Sequence, residues 1–313
     1  MTKRMRSALA GLALGAAVAV PVWAITNGQP DAGEHPYVGQ LLFYVPDDVD
    51  SRFTTPGAWF NCSGTLLTPT IVLTAGHCTD AVGLDGVETT SSGGDGGNDV
   101  WINFSEVPDY NGFPLSAGYI PNNNQQRYLD RAAWLDAHPD WVRATAYSHP
   151  EFNDGPFFLH DVGVLVLEAP VQITGAKFSH GQLAPLGYLN QFLSSPKNTQ
   201  RFTPVGYGLN KVLPIAVEGG DTREKASSFL IGLKGVFGIP EGVSVKFSAN
   251  SGKAHQGGTC FGDSGGPVFD GASNVIVAVT SFGVSPNCTG TDGGYRIDQQ
   301  DDLDFLASFG VTP

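Results

Sequence analysis

Basic side chains are scarce in this sequence: 17 Lys and Arg face 30 Asp and Glu, a formal net charge of −13. A surface of that sign repels nucleic acid and anionic membranes and suits solubility outside the cell. Charged residues make up only 15% of the 313, against 41% hydrophobic, which excludes a disordered chain. The 41 glycines and 21 prolines follow no period, so a collagen-like chain is excluded and a turn-rich, mainly β protein is expected. Beyond residue 24, no apolar run reaches the ~20 residues that a membrane span needs. Histidine is absent after His255, an absence that later decides between two enzyme classes.

The first 24 residues form a separate unit. Met1-Thr2-Lys3-Arg4-Met5-Arg6 is a basic start, residues 8–20 are apolar, and Val22-Trp23-Ala24 offers the small residues of a signal-peptidase site. The run is too short for a membrane anchor, so residues 1–24 are read as a signal peptide and the mature chain as secreted and free of the membrane. Removing Lys3, Arg4 and Arg6 leaves 14 of the 17 basic side chains against 30 acidic, a net charge of −16. Four cysteines in an exported chain suggest two disulfides with three possible connectivities. Nearest-neighbour pairing gives Cys62–Cys78 and Cys260–Cys288. One bridge would brace His77 and the other the loop of Ser264.

Residues 38–44, 63–67, 71–74, 162–167, 243–247 and 275–281 are short, β-branched or aromatic, and bounded by turn residues. They suit strands of an antiparallel sandwich or barrel. Only the tail, residues 298–309, has helical spacing. Residues 46–57 and 83–98 look like loop insertions. Asp85, Glu88, Asp95 and Asp99 have the oxygen ligands that structural Ca²⁺ takes, but their spacing matches no fixed loop, and a solvated flexible loop is the preferred reading. No metal or other cofactor is expected.

Gly262-Asp263-Ser264-Gly265-Gly266-Pro267 places a hydroxyl in a glycine-rich bend, where backbone N–H groups can face a substrate. Alone, it also fits the G-x-S-x-G elbow of α/β-hydrolases, whose histidine follows the serine. None follows Ser264, so any histidine base lies upstream and the esterase reading falls. His77, in Leu73-Thr74-Ala75-Gly76-His77-Cys78, stands at the end of an apolar strand among small residues. His35, His138, His149, His180 and His255 are read as surface or capping residues. Asp161 stands at the mouth of an apolar strand, where a buried acid needs a partner such as an imidazole N–H; a turn residue at a strand edge is the alternative.

Thr74-Ala75-Gly76-His77-Cys78, His160-Asp161-Val162-Gly163-Val164-Leu165 and Gly262-Asp263-Ser264-Gly265-Gly266-Pro267, in that order, resemble the three catalytic motifs of the chymotrypsin/trypsin-like serine endopeptidases. The likeness extends from Ile25-Thr26-Asn27-Gly28 through Gly206-Tyr207-Gly208 and Ser281-Phe282-Gly283 to a terminal helix, and the make-up resembles a bacterial secreted member. It implies an all-β fold: two six-stranded antiparallel β-barrels packed face to face with a C-terminal helix. Residues 25–180 would form the first barrel, with His77 and Asp161. Residues 181–313 would form the second, with Ser264 and the specificity pocket. The resemblance implies His77 as general base and acid, Asp161 as its orienter, Ser264 as nucleophile, and the N–H groups of Gly262 and Ser264 as the oxyanion hole. It also implies the same cysteine pairing. His160 replaces the family's usual Asn, and the His77–Asp161 separation is longer than in compact members.

The resemblance implies further that a free Ile25 ammonium pairs with Asp263. Cleavage after Ala24 would expose Ile25 directly, making export and activation one event; that Ile25 merely begins a strand is the alternative. Thr26 and Asn27 replace the family's usual Val and Gly. In the specificity pocket the floor falls on Gly258, beside Thr259, where members that cleave after Arg or Lys carry Asp. The walls fall on Gly283 and Gly293, and Ser281, Phe282 and Gly283 would pair with the substrate backbone. An open, uncharged slot for a large apolar or aromatic P1 residue is therefore expected. A polar or glutamyl P1 held by Thr259 and Thr280 is the rival. Protein or peptide substrates and a monomeric state are expected; a catalytically silent binding protein on the same fold is the alternative function, and a membrane-linked quality-control protease a lesser one.

Overall fold

In the computed structural model, residues 25–89, 95–152, 159–193, 199–213, 216–234, 240–249 and 256–313 are described. Residues 1–24, read above as a signal peptide, His255 and residues 90–94 of the second insertion lie outside them. After the short β1 (Gln29–Pro30) come β2 (Val38–Val45), β3 (Ala58–Thr68), β4 (Ile71–Thr74) and β5 (Gly97–Asn103). Helix α1 (Asn124–Ala137), β6 (Trp141–Ser148) and β7 (Gly163–Leu167) follow. Strands β2-β3-β4-β7-β6-β5 close into a six-stranded barrel, every pairing antiparallel. Closure removes the exposed edges that short strands would otherwise present.

The second half holds β8 (Gln182–Leu183), β9 (Arg201–Gly206), β10 (Leu209–Leu213), β11 (Ala216–Gly219), β12 (Glu224–Lys225) and β13 (Ser228–Gly232). It continues with β14 (Ser244–Ala249), β15 (Pro267–Asp270), β16 (Val275–Gly283), β17 (Gly290–Arg296) and helix α2 (Gln300–Ser308). Strands β9-β13-β14-β17-β16-β15 run in sequence and the β9–β15 pairing closes them into a second antiparallel ring. The two-barrel expectation with a terminal helix is thereby met, and the bounds of the expected strands and tail helix fall no more than five residues from the observed ones. One apolar cluster is shared by both barrels and α2, running from Val38 and Leu73 through Phe269 and Ile276 to Leu306.

Helix α1 was not expected. Its buried face is Asn124, Arg127, Tyr128, Arg131, Ala132 and Leu135, which is helical spacing carried half by polar residues. Arg127 reaches Asp50 (2.8 Å) and the Gly57 carbonyl (2.9 Å), and stacks on Phe53. The 46–57 insertion is therefore packed against α1 rather than free in solvent. At the second insertion and in β5 beside it, Asp99 accepts from the Tyr128 hydroxyl and the Gly86 N–H, and Asp95 accepts from the Ser148 N–H. These acids bind protein donors, which gives the calcium reading no support.

For His35 and His149 the surface half of the surface-or-capping reading is corrected, since both are buried; His149 Nδ1 does accept the Glu151 N–H at 3.1 Å. His35 Nδ1 lies 2.5 Å from Asp31, whose other oxygen accepts from Arg223 Nε at 2.9 Å. Arg223 also donates to the carbonyls of Val38 and Phe104 and to the Tyr207 hydroxyl, joining the two barrels. Burial alone would raise the Asp31 pKa, but His35 and Arg223 outweigh it and hold the carboxyl at about 2. Because the folded value lies below the ordinary 3.8, this stability is present above about pH 4 and lost as pH falls toward 2. Arg223→Ala should cost about 3–5 kcal/mol in urea unfolding at neutral pH, with a smaller penalty near pH 2. An equal penalty at both pH values would sink the ion-pair account.

Candidate active site

His77 sits in the single 3₁₀ turn Gly76–Cys78 that ends β4, and the Cys62–Cys78 disulfide ties that turn to β3. Thr74 pairs with Gly163, so the ends of β4 and β7 lie side by side. His160, just before β7, has φ +49°, and the Val162 N–H returns to its carbonyl at 2.7 Å. That tight turn sends Asp161 inward, where it is fully buried. The Asp161 carboxylate accepts the His77 backbone N–H at 2.9 Å, meets ring Nδ1 at 3.0 Å and accepts the Ser281 hydroxyl at 2.5 Å. A carboxylate is acceptor-only, which assigns the ring proton to Nδ1 and leaves Nε2 as an acceptor. Ser281 had been assigned to substrate pairing alone; its hydrogen bond to Asp161 could not be seen 120 residues away in sequence.

His160 Nδ1 lies 3.1 Å from the Asp301 carboxylate and its ring stacks on His149 with centroids 4.8 Å apart, which places this loop against α2. Burial lowers the His149 pKa, and the His160 charge adds to the effect.

The serine loop is held against the first barrel. The Ser264 carbonyl accepts the Ser63 N–H at 2.8 Å, and the Ser63 hydroxyl donates to the Gly262 carbonyl at 3.0 Å. Gly262 (φ +98°) and Gly265 (φ +75°) occupy the left-handed region that only glycine enters freely. A Cβ on Gly265 would lie 2.1 Å from Thr74 Oγ1 and 2.8 Å from the Ala75 nitrogen. The serine turn therefore abuts the strand end that leads to His77. Neither the Gly262 nor the Ser264 N–H donates to another described residue. Cys260–Cys288 closes the loop against the segment after β16, so both disulfides follow nearest-neighbour pairing.

His77 and Ser264 line one cleft of about 470 Å³, together with Thr259, Thr280, Ser281, Phe282 and Gly283. Asp263 is turned away from it and fully buried. Its carboxylate accepts the N–H groups of Gly208 and Cys260, both at 2.8 Å. Burial nonetheless pushes its pKa up to about 7, with Asp292 adding to the rise. Ile25 is buried too, and Thr26 bridges Gly258, whose N–H meets the Thr26 carbonyl at 3.1 Å.

Two pocket expectations are corrected. Gly293 does not leave an open wall, because a Cβ there would lie 2.2 Å from the Phe282 ring, which takes up that space. At Gly258, the expected floor, the neighbouring group is the buried carboxyl of Asp292. Asp292 Oδ2 lies 2.1 Å from where a Gly258 Cβ would be.

A family model described as Trypsin matches residues 137–300, more than half of the chain. The chain belongs to the trypsin family. The matched segment contains Asp161 and Ser264 but starts after His77, whose place rests on the geometry above. Among solved structures, the chain is similar to HL collagenase (19% identity, TM-score 0.61, covering 92% of this chain and 100% of that one). It is also similar to the scabies mite inactivated protease paralogue S-D1 (15% identity, TM-score 0.56, covering 92% and 100%). Both are likenesses of fold. No curated protein matched the chain. Trypsin-family membership makes it a serine endopeptidase acting on protein or peptide substrates by chemistry that needs no cofactor. No described helix is long and apolar enough to cross a membrane.

Proposed function

We propose that the chain is a secreted endopeptidase that cleaves peptide bonds through an acyl-enzyme on Ser264. The observation that carries this reading is the Asp161 carboxylate holding His77 by both backbone N–H and ring Nδ1, with Ser264 in the same cleft. His77 Nε2 takes the Ser264 proton as the hydroxyl attacks, then returns it to the leaving amine. The N–H groups of Gly262 and Ser264 receive the oxyanion. Substrate extends along Ser281–Gly283, at the C-terminal end of β16. The cleft beside Gly283 admits a large P1 side chain.

The Ile25 ammonium, once residues 1–24 are removed, turns inward and neutralises the buried Asp263. Thr26 already pairs with Gly258, which supports an N-terminus docked there. Export, two disulfides and activation at the same cleavage form one reading, with residues 25–180 and 181–313 as the two barrel units. The molecule acts as a monomer.

An inactivated protease among the structural neighbours raises a silent binding protein as the second reading. The intact hydrogen bonding of His77 and Asp161 stands against it. A fluorophosphonate probe should label the purified protein covalently and fail to label Ser264→Ala. A properly processed, folded protein that resists the probe would favour the silent reading.

A further inference from the structure

Three segments of the chain bring four metal-ligating side chains together beside the turn that carries Asp161. His149 follows β6, His160 opens that turn, and Asp301 and Asp302 stand in the first turn of α2. One ligating atom from each of the four lies within 4.8 Å of all the others. Asp302 is fully buried, with the Tyr295 hydroxyl 3.4 Å and Gln299 Nε2 3.2 Å from its oxygens. His160 Nδ1 is buried and makes no hydrogen bond, although the Asp301 carboxylate is 3.1 Å away. Among the described residues no Lys or Arg forms an ion pair with Asp301 or Asp302.

Acids in a first turn suit the positive end of a helix. That explains carboxylates at this end of α2. It does not explain two imidazoles packed against them, nor a buried ring nitrogen left without a partner. Imidazole nitrogen together with carboxylate oxygen suits Zn²⁺ or a neighbouring transition ion, whereas Ca²⁺ and Mg²⁺ take oxygen alone. Tetrahedral bonds of about 2.0–2.1 Å set ligand atoms about 3.3 Å apart. The His160–Asp301 pair already has nearly that spacing, and side-chain rotation closes the rest. His149 Nδ1 carries the lone pair of its ring, since it accepts the Glu151 N–H, and a metal bond would take that hydrogen bond's place. Tyr295 and Gln299 hold Asp302 from outside the ligand shell, and the half-exposed Asp301 leaves an ion a way in.

We propose that His149, His160, Asp301 and Asp302 form a binding site for a divalent transition metal, Zn²⁺ by its ligand chemistry, which ties α2 to the turn of Asp161. The ion takes no part in peptide hydrolysis, and the site stands whether or not the endopeptidase reading holds. Its work is structural. It supplies the positive charge that the two carboxylates lack and fills the empty coordination of His160 Nδ1. It also fixes a turn whose first residue has φ +49°. Because the ligands come from three distant segments, no spacing in the sequence marks them.

Calorimetry and melting test this. Protein stripped with EDTA should bind one Zn²⁺ and melt several degrees higher in its excess, and EDTA should reverse the rise. Co²⁺ in place of Zn²⁺ should give the visible absorption of a tetrahedral nitrogen–oxygen site. His160→Asn installs the residue usual at this position in the family, so it should melt near wild type in EDTA. That variant and Asp301→Asn should each weaken Zn²⁺ binding more than about tenfold, since loss of groups outside the ligand shell alone costs about 10–100-fold. Neither variant should gain melting temperature from the metal. No binding by the folded wild-type protein at millimolar Zn²⁺ overturns the site, as does equal binding by wild type and both variants. Binding that survives both substitutions and blocks fluorophosphonate labelling of Ser264 places the ion on His77 in the cleft, which overturns it too.

Discussion

Asp161→Asn should lower kcat by about 10⁴-fold, with little effect on KM, and leave the fold intact. An Asn amide has the size of the carboxylate and can still accept the His77 backbone N–H, now made at 2.9 Å. Its NH₂ group would then face ring Nδ1, or Ser281, in place of an acceptor oxygen. A ring that must accept at Nδ1 carries its proton on Nε2 and cannot take one from Ser264. Measurement is by steady-state hydrolysis of a chromogenic peptide alongside a thermal melt. A fall of less than tenfold, with melting unchanged, would remove Asp161 from the role of orienter.

The second large effect concerns Asp263. In the chain processed at Ala24, Asp263→Asn should reduce kcat/KM by about 10²–10³-fold, because its turn carries the two N–H groups that receive the oxyanion. That turn is closed by Asp263 N–H to the Cys260 carbonyl and by Gly266 N–H to the Asp263 carbonyl. Stability should respond with opposite sign in the unprocessed and processed chains. Without a partner ammonium, the folded pKa of about 7 exceeds the ordinary 3.8. The proton-linked stability is then full below about pH 4 and lost as pH rises through 7. Asn, which never ionises, should therefore stabilise the unprocessed chain at pH 8. In the processed chain the same substitution removes an ion pair and should destabilise. Activity of the wild-type protein should fade at alkaline pH as the Ile25 ammonium, with a reference pKa of ~7.7–8.0, loses its proton. Urea melts of both forms at pH 8 check the signs; a shared sign would separate Asp263 from Ile25.

Much of the fold was legible because short alternating or β-branched segments can bury one face only by pairing, and closure into barrels follows from many such segments. The exception, α1, hid because Arg127 and Arg131 occupy positions that a search for apolar spacing reads as solvent-facing. Their partners, Asp50, Gly57 and the Phe53 and Phe113 rings, lie in loops whose approach no local pattern announces. His35 escaped for the same reason, its burial being set by Asp31 and the Phe269 ring.

By itself the sequence determined the chemistry of the proposed site: a serine in a glycine bend, no histidine downstream to serve it, and His77 and Asp161 each at the end of an apolar strand. Those features are local, since turn geometry and strand ends are written in neighbouring residues. Tertiary structure alone decided which distant groups complete the site. Ser281 reaches Asp161 from the other barrel, Arg223 locks the barrels together, and Asp292 sets its buried carboxyl against Gly258. Each depends on strand register between segments far apart in the chain, and a one-residue slip in β17 would turn Asp292 to the opposite face of the sheet.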